Sequence, residues 1–188
     1  IIVGIVIFRA TDYTVESSFR NSLFSVVSII STTGYVTADY TSWNAQLTMF
    51  FFMLMFIGAS AGSTAGGVKI VRHVILFKNS LLESKRLIHP NAVIPLRFNH
   101  KPVTKDITFN VMAFMIIYII VFAFGSIIMS YLGVDFTTAL GSVATSIGNI
   151  GPGLGNVGPV NNFAEVPYAG KWFLSFLMLL GRLELFTV

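Results

Sequence analysis

Apolar residues in this chain gather in long unbroken runs rather than in the alternating pattern of a half-buried strand or the narrow stripe of a surface helix. From Ile107 to Leu132 the only polar groups are hydroxyls, Asn110 and small residues. A bilayer-spanning helix needs roughly 20 apolar residues at about 1.5 Å each, so this run predicts a membrane span. Leu47 to Ile57 reaches spanning length only with the small-residue stretch behind it, and Trp172 to Val188 is cut by the end of the sequence. Both predict membrane helices with irregularities. The chain opens without Met inside the apolar run Ile1 to Phe8 and stops inside another, so it is expected to be a fragment of a longer protein.

Composition agrees with a lipid solvent. The 188 residues are 54% hydrophobic and 11% charged, against about a quarter charged in an average soluble domain. Eight acids and twelve bases cannot cover a soluble globule of this size, and a bilayer needs no such cover. Eight of the twelve bases (Lys69, Arg72, Lys78, Lys85, Arg86, Arg97, Lys101, Lys105) fall in residues 69 to 105, with Glu83 the only acid there. The positive-inside rule makes this segment cytoplasmic, read as a solvated basic flank. Asp12, Glu16, Asp39, Asp135 and Glu165 then lie on the opposite face, where they would concentrate cations. The basic residues are not interleaved with stacking aromatics, so no nucleic-acid partner is expected. There is no Cys, which excludes disulfides, thiolate metal sites and thiol nucleophiles, and His73, His89 and His100 are too far apart for a helical metal pair.

Self-comparison finds an internal repeat. Phe19 to Ser28 (FRNSLFSVVS) aligns with Phe136 to Thr145 (FTTALGSVAT) at an offset of 117, and the same offset pairs Thr32-Thr33-Gly34-Tyr35 with Asn149-Ile150-Gly151-Pro152. A hydrophobic helix ending at Gly58 or Gly181 follows each copy. Each unit reads as outer helix, short re-entrant segment, Gly-centred turn and inner helix, with residues 1 to 8 left over from the first outer helix. A half-length helix followed by irregular backbone cannot face lipid, because each unpaired amide costs several kcal/mol there; it must be buried or line a water-filled cavity. The predicted short helices Phe19 to Ile30 and Phe136 to Ile147 end at the two turns, so their negative dipole ends would face a cation. Backbone carbonyls at such turns can replace an ion's hydration shell, as in potassium channel filters. This makes Thr32, Thr33, Gly34, Tyr35, Asn149, Ile150, Gly151 and Pro152 the candidate filter.

Ten consecutive residues from Gly58 to Gly67 are Gly, Ala, Ser or Thr. Gly58, Gly62 and Gly66 also make a doubled GxxxG packing surface, but Gly costs about 1 kcal/mol relative to Ala in a helix, and a break is the favoured reading. Gly58, Gly62, Ser63, Thr64, Gly66 and Gly67 are the candidate gate. Arg182 joins them by depth: ten residues beyond the interfacial Trp172 is about 15 Å, near the middle of a bilayer core. An Arg there must face protein or water.

The stretches Ser31-Thr32-Thr33-Gly34-Tyr35-Val36-Thr37-Ala38-Asp39-Tyr40, Gly58 to Lys69, Asn149 to Gly155 and Gly181-Arg182-Leu183-Glu184 resemble the Trk/Ktr/HKT superfamily of potassium transporters, in particular the third and fourth repeats of a bacterial TrkH-type subunit. The resemblance implies a pore of four membrane-pore-membrane repeats, a homodimer in the cell inner membrane, and gating by a cytosolic nucleotide-binding subunit that would hold NAD or ATP. It also implies that the small-residue run is an intramembrane loop under the filter. This chain has two repeats only, so the other two must come from elsewhere.

The expectation is an all-α polytopic membrane protein with two repeats, re-entrant pore helices and a broken inner helix. Residues 1–68 would form the first repeat, 69–106 the basic cytoplasmic segment with the second half of the broken helix, and 107–188 the second repeat, truncated. The expected function is potassium uptake without catalysis, with K+ at filter carbonyls and no organic cofactor in this chain. The rival readings are a pore-less assembly subunit and an intramembrane hydrolase using Ser63. Gly153-Leu-Gly155-Asn-Val-Gly158 matches a dinucleotide pattern literally, but no strand precedes it and Pro159 follows, so it is declined as a nucleotide site. The run ending Gly66-Gly67-Val68-Lys69 lacks a Lys directly after its closing Gly and is no phosphate loop.

Overall fold

The structure is a computed structural model that describes residues 2–11, 13–60, 62–63, 65–88, 94–99 and 101–183. Thr64, Asp12, His89, His100 and Glu184, all considered above, lie outside these residues.

The path runs α1 (Ile2–Ala10), α2 (Val15–Ile30), α3 (Ala45–Leu54), β1 (Ile57–Gly58), β2 (Val68–Lys69), α4 (Ile70–Ile88), β3 (Arg97–Phe98), β4 (Lys101–Pro102), α5 (Lys105–Tyr131), α6 (Phe136–Gly148) and α7 (Tyr168–Leu183), with single 3-10 turns at Gly155–Val157 and Phe163–Glu165. Two pairs of two-residue strands punctuate an otherwise helical chain: β1 and β2 are parallel, and β3 and β4 antiparallel. Helix starts fall where a side chain replaces a missing backbone acceptor. Thr14 accepts from the Ser17 amide at 3.2 Å, so α2 starts four residues before the predicted Phe19. Thr104 likewise caps α5 ahead of the predicted Ile107, and Asp135 caps α6 through the Thr138 amide at 3.1 Å.

Among the described residues, α5 alone is long and apolar enough to cross a membrane. The predicted span from Leu47 is corrected to the ten-residue α3, about 15 Å. Its helix stops at the turn of Met55 and Phe56, before the small-residue run. The described part of the last predicted span is the sixteen residues of α7, about 24 Å.

Two apolar clusters hold the helices together. In the first, Ile7 and Ile29 meet Tyr40, Trp43, Phe51 and Met55; in the second, Val143 and Ile147 of α6 meet Tyr118, Met129 and Leu177. Phe56 joins them, edge-on to Phe122 at 5.0 Å between ring centres and to Tyr118 at 6.3 Å. Helix α6 is buried along almost its whole length between α5 and α7 although it carries Thr138, Ser142, Thr145 and Ser146. A buried hydroxyl is tolerable when bonded: Ser142 Oγ donates to Ala139 O at 3.1 Å, and Thr138 Oγ1 accepts from the Asn156 amide at 2.9 Å.

Candidate functional site

The candidate filter residues lie in two loops at the C-terminal ends of α2 and α6, and the hydrogen bonds that end the helices match one for one. The Thr32 amide donates to Ile29 O at 3.1 Å and the Thr33 amide to Ser28 O at 2.9 Å; the Asn149 amide donates to Ser146 O at 3.1 Å and the Ile150 amide to Thr145 O at 3.0 Å. Each pair differs by 117 positions. Backbone angles follow the same offset: φ is +55° at Thr32 and +53° at Asn149, then +79° at Gly34 and +116° at Gly151. Asn adopts the left-handed region readily, whereas a β-branched Thr there is strained. Strain of this kind costs about 1–3 kcal/mol and persists only where surroundings over-determine it. At Thr32 the surroundings include the Gly66 amide, which donates to Thr32 Oγ1 at 3.3 Å.

A hydroxyl one turn back braces each loop. Ser28 Oγ donates to Tyr35 O at 2.7 Å, and its counterpart Thr145 Oγ1 accepts from the Gly151 amide at 3.0 Å. The two loops touch: a Cβ on Gly34 would collide with the Ile150 carbonyl oxygen and lie 3.4 Å from Pro152 Cδ, and Gly34 Cα is 3.7 Å from where a Gly151 Cβ would be. The two loops thus meet at Gly34 and Ile150, each at the C-terminal end of a helix, whose negative dipole end favours a cation.

The described residues of the 58–67 run are not helical. Its ends are pinned by β1–β2 pairing, Ile57 with Val68 and Gly58 with Lys69, and at the second end Gly66 reaches Thr32 and the end of α6. Gly66 lies so close under α6 that a Cβ there would strike Gly148 O. Gly67 sits 3.4 Å from Gly58 across the neck, measured from the position of an added Cβ. Gly62 faces open space, and Ser63 and Gly66 are bonded into the loop.

Three features escaped sequence reasoning. Lys69, read as part of a solvated flank, is 7% exposed and donates from Nζ to Ser63 O at 2.7 Å and Ala65 O at 2.6 Å. Arg72 is likewise no solvated charge, since its guanidinium lies 4.0 Å over the Phe114 ring. Tyr40 is 1% exposed and donates its hydroxyl to Gly153 O at 2.9 Å, tying the loop after the first turn to the residue after the second. Burial, with Asp39 adding to it, pushes the Tyr40 hydroxyl pKa up, so the hydroxyl keeps its proton. Only its hydropathy and the motif it closes mark Tyr40 in the sequence; nothing there marks its partner.

The remaining candidate, Arg182, is in the last described turn of α7, on its exposed side. The preceding Gly181 is packed against the end of α6: a Cβ there would collide with Ile147 O. Asn149 Nδ2 donates to Met178 O at 3.0 Å, fastening the second filter loop to α7. Among the described residues no His is hydrogen-bonded to Ser63. Its described neighbour is Lys69 Nζ at 3.4 Å, which is engaged as a donor to two carbonyls and is no general base. No group of three or more metal-ligating His, Cys, Asp or Glu exists among the described residues.

Residues 9–188 match the family described as TrkH, cation transport protein. The chain belongs to the TrkH cation transport family. It is 42% identical over 190 residues to the Trk system potassium uptake protein TrkI of Halomonas elongata, covering all of this chain and 39% of that protein. To the Trk system potassium uptake protein TrkH of Escherichia coli K12 it is 37% identical over 171 residues, 91% of this chain and 35% of the relative. The crystal structure of the potassium transporter TrkH from Vibrio parahaemolyticus superposes with a TM-score of 0.90 at 33% identity, covering 98% of this chain and 39% of that one. Membership in TrkH makes this a helical membrane protein and not an enzyme, and the chain spans about two fifths of the length of the relatives it matches.

Proposed function

We propose that this chain forms half of a potassium-conducting pore. Its filter consists of carbonyls from Thr32, Thr33, Gly34 and Tyr35 and from Asn149, Ile150, Gly151 and Pro152. The loop carrying Gly58, Gly62, Ser63, Thr64, Gly66 and Gly67 is the gate beneath it, and Arg182 is a positive barrier at the same level. K+ is cargo: the carbonyls exchange for its hydration shell and no bond is made or broken. The observation that carries this reading is the equivalence of the two loops in hydrogen bonds and φ angles, together with their contact at Gly34 and Ile150. Similarity to Trk potassium uptake proteins supports potassium as the ion.

The complete pore then needs two further repeats, a homodimeric assembly in the cell inner membrane, and a cytosolic nucleotide-binding subunit, holding NAD or ATP, that docks on the basic side. The test is Gly34→Ser in the full-length protein. A side chain there must adopt positive φ and displace Ile150 O, so K+ over Na+ discrimination in Rb+ flux with Na+ competition is expected to fall. An unchanged flux ratio in folded protein would remove Gly34 from the filter.

A further inference from the structure

We infer that Lys69 is a tethered cation that holds the 58–67 loop closed under the filter loops, and that withdrawing it from the Ser63 and Ala65 carbonyls is the step by which the gate is released. The inference deepens the proposed function and rests on reading this loop as the gate.

Lys is almost never buried unless its head is paired, and here the pairing is with backbone. Nζ brings three donors, and two of the acceptors around it are the carbonyls of Ser63 and Ala65 at 2.7 and 2.6 Å, with Ser63 Oγ at 3.4 Å. Converging carbonyls are what a filter offers K+, and Lys69 supplies their cation from within the chain. The backbone of Lys69 is fixed at the neck by its register with Gly58. Its side chain reaches back four and six residues into the loop, so these bonds exist only while the loop is folded down. Directly beside Ala65, Gly66 makes the loop's contacts with the candidate filter loops, bonded to Thr32 Oγ1 and packed against Gly148 O. Lys69 thus holds the residue directly before the one that meets Thr32 and Gly148.

The same residue is directly continuous with α4, which starts at Ile70 and runs out to the basic segment. Arg72, one turn along, is fixed over Phe114 of α5. A partner that tilts α4 would act on the Lys69 backbone first, which gives a route from the cytoplasmic side to the loop through one side chain.

The test uses the full-length protein in proteoliposomes, with Ala65→Cys as a reporter for thiol labelling and Rb+ uptake without the regulatory subunit. Lys69→Met is expected to speed labelling and raise basal uptake roughly tenfold each, corresponding to about 1.4 kcal/mol. Lys69→Gln, which keeps donors without charge, is expected to fall between, and Lys69→Arg to restore slow labelling and low uptake, a rescue that a merely space-filling role does not predict. Labelling unchanged in both the Met and Gln variants overturns the inference. Faster labelling without a change in uptake leaves the hold of Lys69 on the loop standing and overturns the gate reading instead. If neither variant yields monodisperse protein, Lys69 is a folding residue and the inference fails.

Discussion

Replacing Tyr40 by Phe removes one oxygen and leaves the ring, so it isolates the hydrogen bond to Gly153. The ring remains stacked on Phe51 at 4.9 Å between centres and no cavity is opened. What changes is that a buried carbonyl, directly after the proposed filter residue Pro152, loses its donor; the Gly153 amide keeps its own bond to Val157 O at 2.7 Å. Stranding a buried acceptor costs about 1–3 kcal/mol. Unfolding entropy grows with chain length at about 2.1 cal/mol/K per residue, so in a full-length protein about two and a half times as long as this chain the melting temperature in detergent should fall by roughly 1 °C per kcal/mol, about 1–3 °C. The second filter loop loses its tie to the first half, so Rb+ uptake should also become more sensitive to competing Na+. Tyr40→Leu, which removes the stacking as well, should cost more in stability. A Phe variant with wild-type melting and wild-type Na+ sensitivity would refute the claim that the hydroxyl positions the loop.

Gly181→Ala should separate α7 from the end of α6, because the added carbon meets Ile147 O; lower thermal stability and weaker retention of monodisperse protein would report it. Asp135→Ala removes the α6 cap and should cost about 0.5–2 kcal/mol. The Asp135 carboxyl is held below the ordinary carboxylate range by its bonds to Thr138, so its contribution is complete above that range and lost as pH falls through the lowered value. Melting followed from pH 6 to 3 should therefore show a smaller acid loss in Asp135→Ala than in wild type. Arg182→Ala should raise K+ flux in folded full-length protein, and a flux that falls only in step with protein yield would mark Arg182 as structural.

Long-period information was legible in the sequence and short-range side-chain partnership was not. The run behind α5 is visible because lipid demands unbroken apolarity, and the two turns are visible because an offset of 117 aligns residue types whose backbone then makes the same bonds. Helix starts at Val15 and Lys105 were missed because Thr14 and Thr104 look like loop residues until their oxygens are seen to accept from amides three positions on. Counting positive charges treats Lys69 and Lys101 alike, yet one is buried against carbonyls and the other lies in an exposed strand. The difference is set by where the chain folds back, which no local pattern records. The GxxxG spacing at Gly58, Gly62 and Gly66 misleads for a related reason: small residues permit close packing in any backbone, and here Gly58 and Gly66 use it against strand and helix ends.

The parallel pairing of Ile57 with Val68 and Gly58 with Lys69 closes the small-residue run into a ring of chain with a single neck. The neck joins α3 and α4 directly, so the ring communicates with them through that pairing and through the bonds of Lys69 to Ser63 and Ala65. Closing a loop of this size carries an entropy cost that changes only slowly with its length. Exchange or insertion beside Gly62, which faces open space, therefore costs the scaffold little, whereas at Gly66 an added carbon meets Gly148 O.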